Sequence, residues 1–151
     1  MITVENAKVS DFLAIAELDR NAWSENRNSG FIPDGEHIWR IWVEHALTVV
    51  AKDDKTPVGF GLAVPTLDEK MFYIHKVLFS KEYRGKGIGT KVVNNMVTYF
   101  DANSITAILS TDPINYAMQK VVENCGFDER FFEKGYYRPE EDRWIYKRYP
   151  K

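Results

Sequence analysis

The chain has 151 residues, 44% of them apolar, with twenty basic against twenty-two acidic residues and a formal net charge of −2. That size and apolar content suffice for one substantial core but hardly two, so residues 1–151 read as a single domain. The charge balance excludes a general nucleic-acid binder, no apolar run approaches membrane-spanning length, and the N-terminus lacks a charged-then-apolar signal pattern, so a soluble cytoplasmic protein without membrane association is expected. A lone Cys125 cannot form an internal disulfide, which suits a reducing compartment, and His37, His45 and His75 are too scattered for a metal site.

In chain order, residues 2–4 make a short first strand, and Ser10 or Asp11 can cap a helix that turns Phe12, Ile15, Ala16 and Trp23 toward the core. Residues 24–35 are polar, rich in turn formers and contain Phe31 and Pro33, which marks a loop. Residues 36–46 form a second helix in which Ile38, Ile41, Trp42 and His45 align. Trp39 lies off that stripe, where it either lines a cleft or is a partly exposed aromatic. Residues 47–51 and 58–64 are strands joined by the turn Asp53-Asp54-Lys55-Thr56, and residues 65–70 lead into an apolar extended run over 72–79.

The segment Tyr83-Arg84-Gly85-Lys86-Gly87-Ile88-Gly89-Thr90-Lys91 carries the strongest functional signal. Three alternating glycines follow the apolar run and open an amphipathic helix, which is how a chain builds a phosphate pocket. Glycine lets the backbone approach an anion with no Cβ in the way, and the free N–H groups of a helix's first turn, with its dipole, present positive charge to it. Arg84 and Lys86 add two cations at the same mouth. A Walker loop needs Lys and then Ser or Thr directly after its last glycine, whereas Gly89 is followed by Thr90 and then Lys91. A dinucleotide fingerprint needs G-x-G-x-x-G near the start of a βαβ unit, and here the pattern is G-x-G-x-G deep in the chain. R-x-x-G-x-G, read as Arg84, Gly87 and Gly89, does fit. Its competitor is a glycine-rich turn that merely links strand to helix.

After the loop, Ile88, Val92, Val93, Met96, Val97 and Phe100 recur at helical spacing. An apolar strand follows over residues 105–109. Pro113 and Asn115 then introduce a helix whose Met118, Val121, Val122 and Cys125 share a face, and Gly126 and Phe127 end it as a C-cap. This order of strand, R-x-x-G-x-G, helix, strand, Asn-headed helix, Gly-Phe and strand resembles the GNAT superfamily of acyl-CoA-dependent N-acetyltransferases over roughly residues 2–148.

The resemblance implies an α/β (α+β) fold with a mixed, mostly antiparallel central sheet flanked by helices, in which a bulged central strand splays from its neighbour. Backbone N–H groups left unpaired there hold the pantetheine arm of acetyl-CoA like an added strand, since buried donors require partners. By position, Val77, Leu78 and Phe79 supply that backbone. Arg84, Gly85, Lys86, Gly87, Ile88, Gly89 and Thr90 form the pyrophosphate site, and Asn115 is a further cofactor contact or an ordinary helix cap. No metal is implied.

Acetyl transfer requires a neutral amine, although a lysine-type amine has a pKa of about 10.4; it requires a donor for the developing oxyanion, and it benefits from an acid at the departing thiolate. Many members of the resembling family carry a tyrosine acid midway along the Asn-headed helix; Val122 occupies that position here. Tyr73 and His75 alternate with Val77, which puts all three side chains on one side unless a bulge intervenes. Tyr73 matches a catalytic tyrosine of one subfamily, the protein N-terminal acetyltransferases, and is the candidate proton relay. Ser110 stands where that subfamily has a histidine and a bacterial ribosomal-protein acetylase has a glutamate. His75 is the candidate replacement imidazole, against the reading of a buried, merely hydrogen-bonded histidine.

Lys134-Gly135-Tyr136-Tyr137-Arg138 resembles the paired-tyrosine strand end of the same subfamily, and Phe31-Ile32-Pro33 its substrate loop. Phe31, Tyr136 and Tyr137 are therefore candidate contacts for a primary-amine acceptor, either a small amine or a protein or peptide N-terminus. Cys125, on an apolar face at a helix end, reads as a packing residue, so direct attack in a ternary complex is expected rather than a covalent enzyme intermediate. The alternative permitted by Val122 and Ser110 is an acyl-CoA-binding sensor or scaffold with little catalysis. Members of this fold often pair through late strands, and Phe131, Phe132, Trp144 and Tyr146 serve either such a homodimer or the core.

Overall fold

A computed structural model describes residues 1–25 and 33–151, so Phe31 lies outside the described residues. Among these, β1 (Ile2–Asn6), β2 (Leu47–Asp53), β3 (Thr56–Pro65), β4 (Met71–Phe79), β5 (Thr106–Thr111), β6 (Glu129–Glu133) and β7 (Arg143–Arg148) form one seven-stranded sheet in the order β1-β2-β3-β4-β5-β7-β6. Every neighbouring pair is antiparallel except β4 and β5, which run parallel. Helices α1 (Phe12–Ser24) and α2 (Glu36–His45) cover one face; α3 (Ile88–Ala102) and α4 (Tyr116–Asn124) cover the other. This is the mixed, mostly antiparallel α/β architecture that the element order implied.

Side-chain alternation divides the sheet between the two layers. Val50, Phe60 and Leu62 join Ile15, Ala16, Trp39 and Val43 under α1 and α2, whereas Val49, Ala51, Ala63 and Ile74 join Val92, Met96 and Phe100 under α3. The apolar stripe of α3 is buried along its length. α4 also ends as expected, with Gly126 at φ 86° and Phe127 buried behind it.

The face of α2 differs from the one its letters suggested. Trp39 and Val43 are buried while Ile41 is 52% exposed. The Trp39 ring meets Phe60 edge-on at 4.9 Å and Trp42 at 5.1 Å, and its indole N–H donates to Asp19 Oδ2 at 3.1 Å. One buried indole with a satisfied N–H outweighs the area Ile41 would cover, so the helix turns Trp39 inward. At the start of α1, Asp11 does not cap forward. Its Oδ2 accepts the Lys8 N–H at 2.8 Å and closes a preceding 3-10 turn, Val9–Asp11.

Of the late-strand aromatics, Tyr146 is in the core and its hydroxyl donates to Glu123 Oε1 at 2.8 Å. Phe131 and Phe132 stand about half exposed on the sheet-edge strand β6. Among the described residues no helix is long and apolar enough to cross a membrane.

Candidate active site

Two irregularities of β4 make the site. Opposite β3, Leu62 pairs with Lys76 but the next residue, Ala63, pairs with Ile74, so His75 is the extra residue of a β-bulge. On its other edge β4 pairs with β5 at Met71↔Thr106, Phe72↔Ala107 and Tyr73↔Ile108 and no further. Past Tyr73 the two strands part, and the backbone of residues 74–79 has no ladder to β5. The bulge also resets the faces. Tyr73 stands opposite Val64, which packs on the α1 and α2 side, while Val77 and Phe79 pack on the α3 side and Leu78 again on the former. Tyr73, His75 and Val77 therefore do not share a side, because one inserted residue reverses the alternation.

After β4 the chain makes a 3-10 turn (Lys81–Tyr83), passes Gly85 at φ 75° and Gly87 at φ 76°, and enters α3 with Gly87 as its N-cap. Both glycines occupy the left-handed region that side chains disfavour, and nothing lies within 4 Å of where a Cβ would stand on either. Their outer surface is open to a ligand. The Lys91 N–H bonds Gly87 O at 3.1 Å; the N–H groups of Ile88, Gly89 and Thr90 precede it and belong to the unpaired first turn. Arg84 reaches toward Glu25 at 3.9 Å and stays 61% exposed, and the Lys86 ammonium lies 5.2 Å from the Tyr83 ring. Open glycines, first-turn donors and two cations fit the diphosphate of a CoA-type ligand. Asn115 heads α4, and its Oδ1 accepts the Met118 N–H at 3.2 Å, so that oxygen is engaged as a helix cap.

Hydroxyls converge where the strands part. Tyr73 donates to Ser110 Oγ at 2.7 Å, and Ser110 Oγ lies 3.0 Å from the Tyr137 hydroxyl. Tyr136 meets Tyr137 edge-on at 4.7 Å, and the Arg143 guanidinium covers the Tyr137 ring at 5.0 Å. Their loop is held by the Gly135 N–H on Asp142 Oδ1 and the Tyr136 N–H on Glu141 O, both at 2.9 Å. Burial lifts the Tyr73 phenol well above the ordinary tyrosine range; the Ser110 hydrogen bond opposes this, and the Tyr136 and Tyr137 hydroxyls add to it. Near neutrality Tyr73 is a proton donor and not a base.

His75 belongs to a second network. Its ring lies 5.5 Å from Trp42, its Nε2 is 3.3 Å from Asp34 Oδ2, and its side chain is 40% exposed, so it is not a buried histidine. Beside it, Lys76 Nζ donates to both oxygens of Asp19 at 2.8 Å and pairs with Asp34 Oδ2 at 2.6 Å. Asp19 is fully buried and also accepts the Trp23 and Trp39 indole N–H groups at 2.8 and 3.1 Å. A carboxylate survives such burial only when its oxygens are this fully engaged. The cluster pins the bulge to α1, α2 and the segment before α2. Sequence reasoning missed Asp19, Asp34 and Lys76, although a signal existed: Asp19 falls four residues after Ile15 and four before Trp23, on the apolar face, and Lys76 interrupts an apolar strand. Val122 is buried in the core, and burial raises the Cys125 thiol above its usual range.

Comparison with curated protein sequences finds no match. Among solved structures, the chain is similar to the ribosomal-protein-S18-alanine N-acetyltransferase of Escherichia coli at 18% identity and a TM-score of 0.78, over 99% of this chain and 94% of that one. It is similar to Arabidopsis thaliana NAA60, solved with a bisubstrate analogue, at 15% identity and a TM-score of 0.82, over 100% and 99% of the two chains. A phosphinothricin acetyltransferase of Sinorhizobium meliloti, solved with AcCoA, aligns at 18% identity and a TM-score of 0.84, over 99% and 88%. At these identities the structures establish the shared fold. The family model described as "Acetyltransferase (GNAT) family" matches residues 12–127, most of the chain, and with the parted strands and the glycine loop in place, the chain belongs to the GNAT family of acetyltransferases.

Proposed function

We propose that the chain is a cytoplasmic acetyl-CoA-dependent N-acetyltransferase, one domain over residues 1–151, in which a primary amine attacks the thioester directly in a ternary complex. The observation that carries this reading is the parting of β4 from β5 beyond Tyr73↔Ile108, with the glycine loop after one end of β4 and the Tyr73, Ser110 and Tyr137 hydroxyls near the other. In this reading the backbone of Val77, Leu78 and Phe79 pairs with the pantetheine arm. The N–H groups of residues 85–90, with Arg84 and Lys86, hold the diphosphate, and Asn115 frames the arm beside α4.

Tyr73 gives its proton to the departing sulfur and regains one through Ser110 and Tyr137, while His75, oriented by Asp34, takes the proton of the amine. The acceptor amine, on a small molecule or a peptide N-terminus, enters along Tyr136 and Tyr137. Direct attack is supported by the buried Cys125, whose raised thiol is a poor acyl carrier. As a homodimer the protein would cover Phe131 and Phe132 of edge strand β6, a pairing that light scattering on the eluting peak reads directly.

The test is calorimetric titration with CoA, followed by thiol release from acetyl-CoA over a panel of small amines, polyamines and peptides. Saturable binding with amine-dependent release supports the enzyme. Binding with no release across the panel favours an acyl-CoA sensor instead, and no CoA binding discards both.

A further inference from the structure

Thr111 ends β5 opposite Trp144 of β7, three residues beyond the last β4–β5 pair at Ile108. Alternation puts it on the face of Ala107 and Leu109, in the α3 and α4 layer, whereas Ser110 on the opposite face meets Tyr73. Thr111 is 5% exposed, and among the described residues its Oγ1 is the one buried side-chain polar atom without a hydrogen-bond partner. Polar groups of the residues that follow it in the chain bond elsewhere: the Asp112 and Pro113 carbonyls accept Gln119 Nε2 at 3.3 and 2.9 Å, and Asn115 caps α4. A buried hydroxyl left unpaired is destabilising, so a well-folded chain keeps one where something outside the chain completes it.

Resting on the acyl-CoA reading of the opening, we propose that Thr111 is a binding residue for the pantetheine arm, its hydroxyl pairing with an amide group of that arm on the β5 side of the splay. The backbone of β4 serves the arm from one wall; Thr111 serves it from the other. A hydroxyl suits this task because it both donates and accepts, and the pantetheine amides offer N–H and C=O alike. Rotation about χ1 to another staggered well is the movement by which Oγ1 would leave its buried position for the arm as the ligand enters.

The experiment compares the wild type with Thr111→Val, which keeps the shape and removes the hydroxyl, and Thr111→Ser, which keeps the hydroxyl. Each is titrated with CoA and with adenosine 3′,5′-bisphosphate, which lacks the pantetheine arm, and each is melted without ligand. Expected for Thr111→Val is an unchanged or higher melting temperature, CoA binding weakened about fivefold to tenfold, and unchanged bisphosphate binding, with Thr111→Ser close to wild type. Equal CoA affinity in Thr111→Val overturns the proposal, as does equal weakening toward both probes. A lower melting temperature for Thr111→Val also overturns it, since the hydroxyl's partner then lies within the free protein. Failure of the wild type to bind CoA at all is a different result, which removes the acyl-CoA reading itself and this proposal with it.

Discussion

Tyr73 is protonated wherever this protein works, because burial penalises its phenolate and the hydroxyls around it do not repair that loss. A donor of this kind matters late in acetyl transfer, when sulfur leaves, and little for holding the cosubstrate. Tyr73→Phe is therefore expected to lower kcat by roughly tenfold to a hundredfold, modestly for general acid catalysis because a thiol of pKa about 8.5 leaves with little help. CoA affinity should stay near wild type, and an unchanged kcat would remove Tyr73 from the mechanism. The sign of the pH effect follows: a donor is lost as pH rises through its folded pKa, and this one lies above the ordinary value of about 10. Steady-state rates of the wild type should thus show no decline attributable to Tyr73 up to about pH 10. Asp19 acts at the same scale but on stability. Asp19→Asn deprives buried Lys76 of one of its two charged partners, the fully buried one, and leaves it Asp34 alone; urea unfolding should show a loss of about 3 kcal/mol.

At the scale of elements, what the letters reveal depends on whether a structure is decided locally. The α3 stripe and the Gly85 and Gly87 turn were legible because helical spacing and a positive φ are properties of the segment itself. The resemblance implied a bulge in the central strand, but its place at His75 was not legible, since the extra residue exists only relative to the register of β3. The rotation of α2 was hidden for a similar reason, being set by an indole hydrogen bond to Asp19 across twenty residues. Tyr73, Ser110 and Tyr137 were each singled out, yet their union needed the fold to bring β4, β5 and the loop between β6 and β7 together. One glycine outside the motif carries equal weight. A Cβ on Gly61 of β3 would fall 2.6 Å from Val92 Cγ1 and 3.0 Å from Met96 Cε, so α3 lies on the sheet only because that side chain is missing. Gly61→Ala is expected to cost about 1–3 kcal/mol in thermal or denaturant unfolding. It should also weaken CoA binding, because the displaced helix carries at its first turn the N–H groups proposed to hold the diphosphate.

Across the whole molecule, the second half of the chain is fastened by one carboxylate. Asp101 at the end of α3 accepts Arg148 Nη1 and Nη2 from β7 at 2.6 and 3.0 Å and the Lys151 N–H at 2.9 Å, while Arg148 Nε donates to the Cys125 carbonyl after α4 at 3.1 Å. Arg148 is buried, so its charge depends on Asp101 remaining ionised. The Arg148 hydrogen bonds hold the Asp101 carboxyl below its usual range, with the Lys151 N–H assisting against a partial desolvation. A depressed carboxylate contributes stability that is complete above its unfolded pKa of about 3.9 and is lost as pH falls through the folded value. Wild-type melting temperature should therefore hold from neutrality to about pH 4 and then drop. Asp101→Asn should melt lower at pH 7, by about 2–3 kcal/mol, and show a shallower acid limb, so that the two curves approach each other toward pH 2. Melting curves that stay parallel throughout would mean that ionisation of this carboxylate does not join α3, α4 and β7, and the packing of Phe100, Phe127 and Tyr146 would then have to hold that side of the sheet on its own.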